Sequence, residues 1–574
     1  MIAVSNEFKK AIKSDERRIK GYVEVIYDVP DIETTPVADY SSTYTNINEI
    51  DDGRRVENNY ASLDYLPLDG TRLSVLDAIN TNAGYISDDI FEDIQNPTID
   101  LTFESSTIQG VTIYFKDNYP TNMTLEFSDL SSITVEPDNE IVQVIFDEPK
   151  TITSVSITIN EMEYSDRKIK IQEIDLGISY VYQDQDLIEF TVDEEVNKLT
   201  EETPINETSI TINNMQDLFN PLNPQGVVKY LTDGSKIIPH IGVLTETQGV
   251  EFVKMGEFYF DSYTNNSDRT TTLQGKNIIK ILETETLKDD NNVDLFTVVF
   301  DENEFDGLMA NYNYSYQKNW TNNAATVLWK ENNLLKFLKD LAFWQINLFY
   351  ADRNSVLTYR VIDDVSVDTL TKSELLNDVE YKTIDKLNTL NIVKNTYTAG
   401  GGGSASDFLK ETVTLSKTSE VFLITSNSPN MMFATVSQSG GTSVSIISAG
   451  FYSVFVRITG NVGANVTLTF NGTTGQSVTQ TTFSKQKEGI TTPNILEFNS
   501  GIYYIVNDTI VSNRFGIIEK APSYEINFEY NGDPSLEAGD YIEVETPYGY
   551  KPVFIQKNRF TFNGGLSGSI EGVE

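Results

Sequence analysis

The sequence predicts a mainly β, multidomain fold, and three observations carry that expectation. Short runs of alternating apolar and polar residues recur over 60–177, roughly every 10–15 residues, and continue beyond 183. Alternation of this kind places one side of each strand on a core, and the polar residues between the runs supply turns. Only one stretch, 323–343, has convincing helical periodicity. The 574 residues leave room for roughly four domains, and the 39% hydrophobic content is enough for several cores.

From the start, residues 6–20 read as a short amphipathic helix or arm, followed by a strand at 21–27 and a polar loop from 28 to about 58. Six of the first twenty residues are basic in an otherwise acidic chain, which suits either docking to an acidic neighbour or a solvated helical turn. Strands are expected at 99–103, 111–115, 123–127, 141–146, 152–159 and 169–174, the pattern of an antiparallel sandwich over 60–177. Further strands follow at 188–192, 209–213, 237–244 and 250–260.

The stretch MGEFYFDSYTNNSDRTTTLQGKNIIKIL, 255–282, reads as a hairpin turning at Asn265–Asp268. Alternation puts Phe258 and Phe260 on one side and Tyr259, Asp261 and Tyr263 on the other. In the helix, Leu334, Leu335, Leu338, Leu341 and Ala342 fall on one face. Two strands follow, at 346–350 and 356–361. Gly400–Gly403 with Ser404 reads as a flexible linker into a second small sandwich rich in Ser, Thr, Val and Gly, closed by a polar stretch at 477–487. From 490 the acidic, mixed composition returns.

A formal net charge of −43 opposes sequence-specific nucleic-acid binding and anionic membranes. It reads as solubility, or as an acidic wall along which DNA slides without sticking. The absence of Cys excludes disulfides, thiolate metal sites and cysteine nucleophiles. No run of 18 apolar residues is present, so no membrane span is expected, and the N-terminal stretch lacks the apolar core of a secretory signal.

No catalytic, cofactor or metal residue stands out. His240 is the one histidine and reads as packed or surface-exposed. It has no Gly-x-Ser-x-Gly elbow to complete a triad. The many carboxylates single out no glycosidase pair. Asp290, Asn292, Asp294 and Asp301 have calcium-loop spacing, but Leu295 stands where such a loop needs glycine. Gly400–Gly403 lacks the Lys-Ser/Thr of a phosphate loop.

Near the C-terminus stand GDPSLEAGD (532–540), YIEV (541–544) and FNGGLSGSIEG (562–572). Gly539-Asp540 should turn tightly into the following strand, and Gly564 and Gly565 admit backbone geometry closed to other residues. In this order the motifs resemble the end of baseplate hub or tail-associated structural proteins of phages infecting Gram-positive bacteria. YASLDYLPLDG (60–70), GYISDDI (84–90) and GVTIYF (110–115) resemble the discoidin-like, galactose-binding-like module of the same proteins. Its Tyr60, Tyr65 and Tyr85 read as core residues.

The resemblance implies two hub-type β-barrels with two inserted β-sandwich modules and a few short helices. The expected divisions are an arm and first strand of barrel 1 at 1–31, the discoidin-like insert at 32–178, barrel 1 at 179–310, connecting helix and strands at 311–399, the small sandwich at 400–488 and barrel 2 at 489–574. It also implies a homotrimer in the virion tail tip or baseplate. That ring would adapt a hexameric tail tube to a threefold spike or fibre, and serve tail assembly and DNA ejection. Expected partners are distal tail or tail-tube proteins, the tape-measure protein, and a spike, fibre or receptor-binding protein, with host-surface glycan as a further ligand. No cofactor is implied. Tyr259, Asp261 and Tyr263 then become candidates for a subunit or tube contact. Many such proteins continue into a peptidoglycan-cutting or fibre region. Here the motif runs to Glu574, and such an activity is expected on another chain. The alternatives are a carbohydrate-binding adhesin and a cell-wall hydrolase.

Overall fold

The computed structural model describes residues 1–28, 34–39, 85–286, 302–319, 333–398, 405–498, 512–516 and 524–573, apart from short gaps within some spans. The fold is mainly β and multidomain. Its centre is a 14-stranded sheet. In spatial order its main path runs Glu380–Thr383, Tyr524–Tyr530, Leu566–Val573, Gly549–Phe562, Leu187–Glu195, Glu207–Asn213, Thr270–Lys276, Phe258–Asn265, Lys236–Leu244, Ile19–Asp28 and Ile178–Gln183. Val250–Lys254, Ser366–Leu370 and Tyr541–Thr546 pair alongside this path.

The strands expected in two separate barrels are therefore continuous. Phe190–Glu195 pairs antiparallel with Lys557–Phe562, joining the two halves edge to edge. One apolar core spans the join and includes Val23, Phe190, Ile237, Phe528, Ile555 and Phe560. The sheet curls enough to bring Ile19–Asp28 over Gly549–Phe562: a Cβ on Gly21 would stand 2.6 Å from the Phe562 ring. Glycine is required at 21 by that approach.

The polar stretch at 28–58 contains one described strand, Thr34–Ala38, where a loop was expected. It joins a seven-stranded sheet with its own core, which includes Leu101, Ile113, Leu125, Val155 and Ile157. Four of the strands expected there are two long ones. Thr98–Phe115 takes in 99–103 and 111–115, and Ile141–Met162 takes in 141–146 and 152–159. Bulges at 102–106 and 108–110 bend the pair without ending it, so the turn residues between the expected strands mark bends. Thr112 Oγ1 to the Gly177 carbonyl (3.1 Å) and Gln143 Nε2 to the Ser179 carbonyl (2.8 Å) tie this module to the edge of the central sheet. Residues 60–70, including Tyr60 and Tyr65, lie outside the described residues, whereas Tyr85 is fully buried in the module's core.

The described helix is Leu334–Gln345, shorter than the expected 323–343 span, whose residues 323–332 are not described. Asn333 caps it by accepting from the Lys336 amide at 2.8 Å. Leu334, Phe337, Leu338, Leu341 and Ala342 are buried, and Leu335 is half-buried. Their apolar stripe anchors a second core with Ile279, Phe305, Tyr359 and Phe498. Asn347–Ala351 and Leu357–Val361 form the hairpin after the helix.

The second insert is a sandwich of two three-stranded sheets. One holds Ala405–Thr414, Asn465–Thr474 and Met431–Ser439, the other Ser419–Thr425, Ser453–Thr459 and Ser443–Ala449. Val454, Val456, Val466 and Leu468 fill the space between them. Ser477–Gln486 does not close this sandwich as expected. It pairs with Thr389–Thr398 along its whole length, forming a stalk of the chain entering and leaving the insert, and Ile495–Phe498 adds a third, parallel strand beside Thr389–Ile392 at its base. Leu390 and Ile392 at its base are buried in the helix core, with Leu496 and Phe498 of the third strand. At the stalk's base Phe455, fully buried, reaches the helix core.

Candidate functional site

The expected interface trio is divided by the fold. Phe258–Asn265 and Thr270–Lys276 form the expected hairpin, but a bulge between Phe260 and Ser262 breaks the alternation at Asp261. Beyond the bulge the faces exchange. Tyr263 packs with Phe260 and Phe219 against the central core, ring centroids 6.4 Å apart in each pair. Tyr259 packs on the opposite side, against the helix core. Asp261 is exposed and pairs with Lys276 at 3.2 Å. The three residues thus share no single face. The left-handed residue of the turn is Arg269 (φ 63°), while Asp268 Oδ1 holds Thr270 through its amide and hydroxyl.

A different constellation emerges at the seam between the two halves of the central sheet, and the motif at 532–540 builds it. Asp533 Oδ1 accepts from the Ser535 amide (2.9 Å) and hydroxyl (2.7 Å). Gly539, at φ 94°, turns the chain, and its amide reaches the Ile555 carbonyl at 2.8 Å. Asp540 Oδ2 accepts from the Glu537 amide at 3.0 Å. Asp540 is completely buried, and its Oδ1 takes Arg360 Nη1 at 3.1 Å. The Met1 nitrogen also lies 2.8 Å from Asp540 Oδ2.

Arg353 occupies the middle of this seam. It projects from the tight turn between Asn347–Ala351 and Leu357–Val361, where Asp352 Oδ1 accepts from the amides of Asn354 (2.8 Å) and Val356 (2.9 Å). Its guanidinium grips both oxygens of Glu194, with Nη2 to Oε2 at 3.1 Å. The same group donates to the carbonyls of Pro534 and, at 2.8 Å, Leu536. Both side chains of the pair are almost wholly buried. Burial pushes the Glu194 carboxyl up, and the guanidinium opposes that push. Burial also drives Tyr350 up to about 12, helped by Glu537.

Beside the seam, Glu257 lies 2.5 Å from Lys254 Nζ and 3.7 Å from Lys236 Nζ. Burial works to raise its carboxyl, but the two lysines and a hydrogen bond from Lys254 hold it below its ordinary value. The cavity lined by Glu194, Glu257, Asn277, Arg353 and Glu537 is ≈ 20 Å³, space for about one water. Pockets that enclose small-molecule ligands run to about 300–1,000 Å³. The arrangement can fasten three segments of chain together and leaves little room for a substrate.

The basic N-terminal arm docks within the chain. The helix Asn6–Ile12 is capped by Ser5, whose hydroxyl accepts from the Phe8 amide at 3.0 Å. Lys13 then reaches Asp368 at 2.8 Å, and Arg17 donates to carbonyls of Asn531, Gly532 and, at 2.7 Å, Leu566. The acidic neighbour weighed for these basic residues is, for Lys13, the chain's own Asp368.

His240 stacks on Tyr22, with centroids 4.4 Å apart, and is half-buried. Among the described residues no group of three or more Asp, Glu, His or Cys is placed to hold a metal ion. The 290–301 loop and Gly400–Gly403 lie outside the described residues. No described helix is long and apolar enough to cross a membrane.

The sequence marked 532–540 as a motif, but Glu194, Arg353 and Arg360 were missed. Glu194 continues an alternating acidic strand, and Arg353 follows a turn aspartate. Neither carries a local signal of burial.

No family model and no curated protein matches the chain. Among solved structures it is similar to the 43 kDa tail protein of prophage MuSo2 from Shewanella oneidensis, at 10% identity and TM-score 0.37, covering 69% of this chain and 96% of that one. It is similar to a tail protein from Neisseria meningitidis MC58, at 11% identity and TM-score 0.38, covering 68% and 93%. A third is prophage tail protein gp18 from Listeria monocytogenes EGD-e, at 9% identity and TM-score 0.32, covering 68% and 91%.

Proposed function

We propose that the chain is a structural protein of a phage-type tail tip, a baseplate hub whose work is assembly and not bond chemistry. The observation that carries this reading is the seam. The motif resembling the end of hub proteins, 532–540, is the segment on which Arg353, Glu194 and Arg360 converge. Around it, residues 187–276 and 524–573 become one sheet. Two β halves locked in this way suit a subunit that presents two similar units to a ring. Three copies would offer six such units to a hexameric tail tube above and a threefold spike or fibre below. Distal tail, tail-tube, tape-measure and spike or receptor-binding proteins are the partners of this reading, and the virion tail tip is its location. Interfaces of obligate assemblies bury more than about 2,000 Å².

Native mass measurement of the purified protein with tail-tube protein tests the reading: three copies per assembly are expected. A chain that stays monomeric and has no affinity for tail-tube or distal tail proteins overturns it. The two β inserts favour a second reading, a carbohydrate-binding adhesin. A glycan array probed with the full chain decides that reading, and binding to no glycan removes it.

A further inference from the structure

Among the described residues, one edge of the central sheet has no further strand beside it. Glu380–Thr383 ends the sheet, and all four residues are exposed. Tyr524–Tyr530 is its partner on the inner side: Tyr381 stands opposite Ile526, and Thr383 opposite Tyr524. Ile526 belongs to the central core, so Tyr381 carries the core-facing side of the sheet out beyond its cover. Tyr381 is 45% exposed and Tyr524 44%. Unpaired strand edges with apolar margins are templates for strand addition, which folds usually avoid leaving bare.

The same edge runs into a groove of ≈ 310 Å³ between 372–379 and the turn at Glu545 and Pro547. Leu376 (54% exposed) stands on one wall, and Tyr548 (89% exposed) follows Pro547 at the tip of the hairpin. The rim is acidic. Across 372–383, 524–530 and 543–551 there are seven carboxylates and three lysines. One of those lysines, Lys382, is already paired with Glu525 at 3.4 Å.

We infer that this edge receives an extended segment of a partner protein, which adds as a strand beside Glu380–Thr383. Its apolar side chains would cover Tyr381 and Tyr524, and its lysines or arginines would meet Asp378, Glu380 and Glu545. Main-chain hydrogen bonds supply affinity in such additions, and alternate side chains supply specificity. Charge decides against a second copy of this chain, because the same edge of that copy brings the same acidic excess. The inference deepens the assembly reading by naming the chemistry of one partner.

The test uses the full chain and a short capped peptide of alternating lysine and valine. Binding is expected to slow amide exchange at 380–383 and to weaken as salt is raised. Tyr381→Glu and, separately, Leu376→Glu should each weaken binding at least about tenfold. Both positions are exposed, and an unchanged circular dichroism spectrum checks the fold. The inference is overturned by unchanged exchange at 380–383. It is equally overturned by equal binding of a glutamate–valine peptide, or of the same peptide methylated on alternate backbone nitrogens. Self-association of the chain that Tyr381→Glu abolishes would assign the edge to a second copy and overturn the inference too. If these results go against the edge while three copies still assemble with tail-tube protein, the edge inference falls and the assembly reading stands.

Discussion

Replacing Arg353 with methionine tests whether the seam holds the two halves of the sheet together. The substitution keeps much of the volume and removes the charge. It leaves the Glu194 carboxylate buried without its partner and takes a donor from the carbonyls of Pro534 and Leu536. Breaking a buried ion pair from one side costs about 3–5 kcal/mol. A single orphaned acceptor costs about 1–3 kcal/mol; the Leu536 carbonyl keeps the Asn558 side-chain amide at 3.3 Å, so the Pro534 carbonyl alone moves the loss toward the upper part of the ion-pair range. Adding Glu194→Met removes the stranded charge, and the double variant should recover at least about 2 kcal/mol. Urea unfolding at neutral pH gives the free energies. Amide exchange along 190–195 and 557–562 shows whether the loss is at the join, a necessary check in a chain of several domains. A loss under about 1 kcal/mol for Arg353→Met, or a double variant less stable than the single, would refute the reasoning.

Other perturbations separate the remaining contacts. Gly539→Ala meets no atom closer than 3.7 Å but must hold φ 94°, so thermal unfolding should show a loss of about 1–3 kcal/mol from backbone strain alone. Glu257→Gln should destabilise the protein at neutral pH. Because the folded carboxyl lies below its ordinary value of 4.5, the difference from the parent should be full above that pH and close as pH falls through the folded value; a gap unchanged down to strong acid would contradict the assignment. Phe455→Ala should cost about 3–5 kcal/mol and speed proteolysis of the stalk, since Phe455 joins the sandwich to the helix core. Tyr263→Ala should destabilise the fold, whereas Asp261→Lys should leave unfolding nearly unchanged and, if the hairpin is a subunit or tube contact, reduce assembly measured by native mass.

Much of the β architecture was legible because alternation reports burial directly. The strands at 188–192, 209–213 and 237–244 lie within observed strands for that reason. The Leu-rich face of the helix was legible by the same logic at a different period. What escaped were features set by distant partners. A bulge at Asp261 moved Tyr263 to the core face, and nothing in YFDSY marks a bulge. The bends in Thr98–Phe115 looked like ends because turn residues mark both. Ser477–Gln486 reads as polar in either place, and only its pairing with Thr389–Thr398 distinguishes a stalk from a sandwich edge. At the seam, Asp540 was visible as part of a turn motif, but its burial beside Arg360 depends on a hairpin some 180 residues earlier.

Imaging of the intact particle with this chain located in it bears most directly on the hub reading. The expected result is three copies around the tail axis at the tip. A chain found along the tail shaft, in the capsid, or at the tip in a number other than three would contradict it.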